Sequence, residues 1–190
     1  RTQSLVSGIE LNISSPNTAG LKIFHEPARL RSLIEGLVSE KQVPLFVKLP
    51  PWPRDDENRR EILKLAATAV DAGVDGLVVA NTHPIESSRL QVGRGGLSGA
   101  PLFEHTELMI ADIQAQVQGQ AAIIACGGVS TAEQVWKLLA TGASAVQLYT
   151  SFIYEGPGLP ARINKRLAKL MTAAGITNVS EISGAPPEIK

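Results

Sequence analysis

The sequence predicts an α/β fold: a parallel sheet of about five strands alternating with about five helices, as in the C-terminal part of a (β/α)8 TIM barrel. Three observations carry this. Short aliphatic runs alternate with stripes at helical spacing along the chain. Apolar strands each followed by a helix belong to a parallel sheet, here expected to be covered on both faces. No Gly-x-Gly-x-x-Gly pattern follows the first strand, which argues against a dinucleotide-binding doubly wound sheet. A complete barrel takes ~250 residues. Five units in 190 residues therefore read as its second, larger part, with residues 1–190 belonging to one domain.

In order, Ile9, Leu11 and Ile13 alternate and then yield to small polar residues, a proline and Gly20, so a strand opens into a tight loop. Leu30, Leu33, Ile34, Leu37 and Val38 form a helical stripe after Pro27. Leu45–Leu49 is an apolar strand stopped by Pro50-Pro51. Ile62, Leu65, Ala66, Ala69 and Val70 mark the next helix, ended by Gly73. Gly76–Ala80 is a buried strand leading into Asn81-Thr82, and residues 83–100 are expected to be the longest loop. Met109, Ile110, Ile113 and Val117 mark a helix, and Ala122–Ala125 is a strand running into Cys126-Gly127-Gly128. Ser130 and Glu133 have capping-box spacing before the helix of Val135, Leu138 and Leu139. Ala145–Tyr149 is the last strand, the last helix holds Ile163, Leu167, Leu170 and Met171, and a polar tail follows Gly175.

Composition narrows the function. Lys+Arg and Asp+Glu both number 18, and no basic cluster interleaves with aromatics, so nothing points to nucleic acid. The single cysteine, Cys126, excludes an internal disulfide framework. No apolar run reaches the ~20 residues of a membrane span. The chain begins at Arg1, almost on a strand, so an N-terminal portion is expected to precede it.

Chemistry concentrates at strand ends. Asn12, Ser15 and Asn17 place two amides and a hydroxyl within six residues at the end of the first strand, where such barrels build active sites. Ser15 alone reads as a turn or capping hydroxyl rather than a catalyst. The Gly127-Gly128 turn and the Tyr149-Thr150 loop follow the last two strands, which favours phosphate binding over a plain tight turn. Gly95-Gly96-Leu97-Ser98-Gly99 is a weaker signal of a close ligand. Lys48 interrupts an apolar strand and reads either as a cation serving the site or as a lysine snorkelling to the rim. Asn81-Thr82 suits hydrogen bonds to a small polar ring or local capping. His25, His83 and His105 lack ligand spacing, so no metal is assigned. Cys126 reads as a small buried filler, and Trp52 and Trp136 as packing.

Taken in order, Asn12-Ile13-Ser14-Ser15-Pro16-Asn17-Thr18, Val47-Lys48, Asp75-Gly76, Asn81-Thr82, Gly95–Gly99, Gly127-Gly128 and Tyr149-Thr150 resemble the dihydroorotate dehydrogenases, from about Ile9 to Thr150. Serine at position 15 is similar to the quinone-linked class 2 enzymes; the soluble class 1 enzymes carry Cys there. The resemblance implies a (β/α)8 barrel with FMN at its carboxyl ends, oxidising dihydroorotate to orotate with a quinone as acceptor, in pyrimidine biosynthesis. By position it implies Ser15 as catalytic base, with Asn12, Asn17, Asn81 and Thr82 on the substrate. It further implies Asn12, Lys48, Gly99, Gly128, Tyr149 and Thr150 on FMN. Peripheral membrane contact is implied for residues outside this chain, in a bacterial cytoplasmic or mitochondrial inner membrane. Ala80 stands where the family often has Thr, and Ala125-Cys126 where it more usually has Gly-Val. Two other readings remain: a flavin enzyme acting on another small ring, and a non-catalytic piece that self-associates through an open sheet edge. Because its barrel is expected to be incomplete, the isolated chain is expected to have little or no turnover.

Overall fold

The computed structural model describes residues 3–15, 18, 20–51 and 56–182. Its centre is a five-stranded parallel sheet of β1 (Ile9–Asn12), β2 (Leu45–Lys48), β3 (Gly76–Val79), β6 (Ala122–Cys126) and β7 (Ala145–Gln147), in the order β1-β2-β3-β6-β7. The spatial order follows the chain order without a reversal, so every crossover turns the same way and the sheet is singly wound. The helices obey the same rule. α1 (Pro27–Val38), α2 (Asp56–Asp71), α3 (Phe103–Val117), α4 (Ala132–Thr141) and α6 (Leu159–Ala173) pack in succession, each on the next.

One face of the sheet is thus covered by helices, and the expectation of two covered faces is corrected. Leu45 and Val47 of β2 and Ile123 and Ala125 of β6 point to the helices and are buried. They meet Leu30, Ile34, Ile113 and Leu138, which have no exposed surface. The alternate residues, Phe46, Lys48, Ile124 and Cys126, lie on the other face and are only partly buried.

That second face is concave. The register pairs Asn12 with Lys48, Lys48 with Val78, Val78 with Ile124, and Cys126 with Gln147. Glu10, two residues before Asn12, shares the face, and its Oε2 accepts a hydrogen bond from Gln147 Nε2 at 3.0 Å. Glu10 and Gln147 sit on the two edge strands. In a flat sheet, four steps of ~4.8 Å hold the edges ~19 Å apart, beyond the reach of these side chains. The sheet therefore curls as a barrel wall, and its inner face is a barrel interior.

Asp75 pins the amino ends of three strands. Its Oδ2 accepts from Leu45 N–H at 2.7 Å and from Lys41 Nζ at 2.6 Å. Its backbone bonds Leu45 on one side and Ala122 on the other. Burial works to raise the Asp75 carboxyl pKa, but the Lys41 ammonium and the Leu45 N–H outweigh it, and the group lies below its ordinary value. A carboxyl with a depressed folded pKa contributes stability above its unfolded value, near 3.9, and loses it as pH falls through the folded value. Asp75→Asn is therefore expected to lower stability at neutral pH and to flatten its acid-side decline, as read by urea midpoints from pH 7 down to pH 2.5.

Several sequence expectations are corrected. Residues 83–100 are not a plain loop: β4 (His83–Glu86) and β5 (Arg94–Leu97) form an antiparallel hairpin. Proline and paired glycines have low strand propensity and concealed the alternation at His83–Glu86. The capping box lies one residue later, at Thr131 and Gln134. Gln134 N donates to Thr131 Oγ1 at 3.2 Å, and Gln134 Oε1 accepts from Thr131 N and Ser130 N. Glu133 instead reaches Arg166 of α6. The last strand stops at Gln147, and a short helix, α5 (Thr150–Glu155), follows. The tail after Gly175 is docked by Ile182, 4% exposed. Trp136 is buried as expected, and Trp52 lies outside the described residues. No helix among the described residues is long and apolar enough to cross a membrane.

Candidate active site

Each described candidate residue sits at, or just past, the carboxyl end of a strand, where period-two aliphatic residues give way to polar or glycine positions. In a parallel sheet all such ends lie on one rim. On this rim a cavity of about 270 Å³ opens, lined by Lys48 from β2, Asn81 and Thr82 after β3, Gly99 after β5, Gly128 after β6, and Tyr149 and Thr150 after β7. Seven of the ten residues expected at the site from the sequence thus line one hollow. Asn12 and Ser15 are not among the lining residues, and Asn17 lies outside the described residues.

Asn12 is nonetheless tied to the cavity by a residue that sequence reasoning passed over. Ser14 is 8% exposed; its N–H and its hydroxyl donate to Asn12 Oδ1 at 3.1 and 3.0 Å. Asn81 Nδ2 donates to Ser14 Oγ at 2.8 Å, and Asn81 Oδ1 accepts from Thr82 N–H at 2.9 Å. This chain fixes both asparagine amides across the tips of β1 and β3. The available signal was a polar phase: Ser14 follows Glu10 and Asn12 at every second position, on the face opposite Ile9, Leu11 and Ile13. Ser15 is half-buried, and its Oγ accepts from Thr18 Oγ1 at 3.1 Å.

Lys48 takes the inward orientation. Its side chain is 14% exposed, with Nζ 3.7 Å from Glu10 Oε1 and 3.6 Å from Cys126 Sγ. Cys126 is therefore not a buried filler; it is partly exposed, lines the cavity and accepts from the ammonium. The register explains this, since alternation from Ile124 turns Cys126 to the inner face.

At the far end, Gly127 and Gly128 both have positive φ, 142° and 76°. The helix after them is less open than its sequence implies, because Thr131 and Gln134 satisfy donors at the α4 start among themselves. The uncapped start of α5 lies at the cavity instead: Tyr149, Thr150 and Ser151 line it, and Tyr149 supplies no side-chain cap. Thr150 Oγ1 donates to Ser98 Oγ at 3.0 Å, joining the segment after the hairpin to the end of β7. The hairpin packs on Thr82, where a Cβ on Gly96 would meet Thr82 Oγ1 at 2.4 Å.

The donor set has a direction. An ammonium lies at one end, amides and a hydroxyl in the middle, and N–H and hydroxyl groups around glycines at the other. Among the described residues that line the cavity, Lys48 is the one that carries a charge, and its carboxylate partner Glu10 stands outside the lining. That order of groups fits a flat polar ring with a phosphate tail. Among the described residues, no group of three or more His, Cys, Asp or Glu is placed to hold a metal ion.

Comparison with known proteins agrees in sequence and in fold. The family model for dihydroorotate dehydrogenase matches residues 1–171. A quinone dihydroorotate dehydrogenase of Sphingopyxis alaskensis is 37% identical over 188 residues, covering 95% of this chain and 52% of that protein. The mitochondrial quinone enzyme of Arabidopsis thaliana is 35% identical, covering 92% of this chain and 40% of its own. The crystal structure of the Eimeria tenella enzyme with ferulenol superposes with a TM-score of 0.83 at 34% identity, over 97% of this chain and 55% of that one. The chain spans about half the length of the curated relatives it matches. Its singly wound sheet is the corresponding part of their TIM barrel, and the chain belongs to the dihydroorotate dehydrogenase family.

Proposed function

We propose that this chain is the larger part of the catalytic barrel of a quinone-linked dihydroorotate dehydrogenase, with FMN in the cavity described above. The observation that carries the reading is the meeting of Lys48, Asn81, Gly128 and Thr150, far apart in sequence, around one hollow at the carboxyl ends of the strands. The relatives' printed names support quinone as the electron acceptor and, through it, peripheral membrane attachment of the whole protein.

When bound there, the flavin supplies a two-electron acceptor for the hydride that leaves C6 of dihydroorotate. The chain's own residues do the rest. Gly128, Tyr149 and Thr150 would hold the phosphate end through backbone N–H and hydroxyl donors, and Gly99 would also contact the flavin. Lys48 places a positive charge beside the ring, where negative charge arrives with the electrons. Asn81 and Thr82, with Asn12 held through Ser14 and Asn17 from the loop, orient the pyrimidine ring. Ser15 takes the C5 proton. A serine hydroxyl is a weak base, so it must lose its own proton as it gains the substrate's. Thr18 Oγ1, 3.1 Å from Ser15 Oγ, provides the next carrier toward solvent.

The test is anaerobic mixing of the flavin-loaded full-length protein with dihydroorotate. Bleaching of the flavin near 450 nm with one orotate formed per flavin is expected. No bleaching with dihydroorotate, but bleaching with another dihydropyrimidine, would replace this reading with that of a related flavin oxidoreductase.

A further inference from the structure

The inner face carries a polar chain of which the proposed reaction uses only Lys48. Gln147 of β7, Glu10 of β1, Lys48 of β2 and Cys126 of β6 are linked in turn on the inner face, and Cys126 stands beside Gln147 in the register. Gln147 Nε2 holds one Glu10 carboxylate oxygen at 3.0 Å. The other lies 3.7 Å from Lys48 Nζ, and Nζ is 3.6 Å from Cys126 Sγ. The Lys48 and Glu10 side chains are 14% and 30% exposed, so water and salt screen them less than a surface pair. A compact pair of opposite charges projects a much weaker field than an isolated ammonium.

We propose that Glu10 is a charge-tuning and positioning residue for Lys48. It holds the ammonium against Cys126 at the cavity wall and offsets part of its charge, so that a flavin bound there accepts electrons less readily than it would beside Lys48 alone. The flavin half of this statement rests on the function proposed above; the Glu10–Lys48–Cys126 half does not.

The chain's only cysteine reports the local charge. Alkylation needs the thiolate, which an uncompensated ammonium favours. In the full-length protein without flavin, alkylation by neutral iodoacetamide is followed at the Cys126 peptide by mass spectrometry. Glu10→Gln, nearly isosteric and uncharged, is expected to speed it about fivefold at pH 7. Lys48→Met is expected to slow it by a similar factor, and Glu10→Asp, which keeps a carboxylate, to stay near the unaltered rate. Should Glu10→Gln fail to fold, Gln147→Leu frees the carboxylate from its holder and is expected to shift the rate in the same direction. In the flavin-loaded protein, Glu10→Gln is expected to raise the flavin potential, changing the oxidised-to-reduced ratio about tenfold, ~30 mV for a two-electron couple. A purely structural Glu10 would move neither readout. An unchanged Cys126 rate in a folded Glu10→Gln or Gln147→Leu protein, or an unchanged potential, overturns the inference. Absence of flavin from the unaltered full-length protein would overturn the functional reading, leaving the alkylation result to decide the Glu10 pairing.

Discussion

Ser15→Ala in the flavin-loaded full-length protein is expected to slow flavin reduction by dihydroorotate about 10²–10⁴-fold, the range for loss of a positioned proton acceptor. Flavin content should be unaltered. The separation of the two readouts follows from geometry. Ser15 lies on the loop after β1, outside the cavity lining, with Thr18 as its described side-chain partner. Of the groups assigned to the flavin, Asn12 ends β1, and the others stand on β2 and on the segments after β5, β6 and β7. Removing the hydroxyl leaves the Asn12–Ser14–Asn81 chain intact, so the substrate should still dock. Stopped-flow absorbance under saturating dihydroorotate measures the step directly. An unaltered rate would assign the C5 proton to another group.

Gly128→Ala is expected to destabilise the fold by about 3 kcal/mol and to weaken flavin binding with it. Two terms add. A φ of +76° costs an L-residue roughly 1–2 kcal/mol. A methyl would also stand 2.3 Å from Phe103 N and 2.6 Å from Phe103 Cα, backbone atoms at the start of α3 that cannot rotate away. Overpacking of this kind costs about 1–3 kcal/mol. Either the Gly127-Gly128 turn or the start of α3 must shift, and the turn lines the cavity. Gly119→Ala is the control: its φ is +78°, but nothing lies within 4 Å of the added carbon. Urea unfolding of the two variants should differ by the clash alone, and a flavin titration should separate them further. The glycine pair is thus set by the packing of α3 on the turn as much as by ligand approach.

The elements that were legible in the sequence are those whose stabilisation is local and periodic. Ile62, Leu65, Ala66 and Ala69 of α2 declare one buried face, and the helix forms where that face is written. The aliphatic run of β3 can only be an interior strand, and all four of its residues are buried. The hairpin at 83–97 was hidden because its strands are held by pairing between two poor strand formers, Pro84 with Gly96 among them, and not by apolar periodicity. The capping box slipped by one residue because Ser130 and Thr131 are both competent caps, and only the position of Gln134 relative to the helix axis selects between them.

Chain chemistry therefore dictated the alternation of strand and helix and the polar character of every strand tip, since both depend on neighbours close along the backbone. Sheet curvature, the partners of Glu10 and the Asn81 partner of Ser14 came from folding alone. Gln147 lies 137 positions from Glu10, and Asn81 lies 67 from Ser14. A hydrogen bond or ion pair acts over a few ångströms of space whatever the separation along the backbone, so no pattern of local spacing announces it. Lys48 shows the division: its place in the strand was written in the chain, but whether it turned to the rim or inward was settled by a carboxylate from the adjacent β1 and a thiol from β6, two strands away.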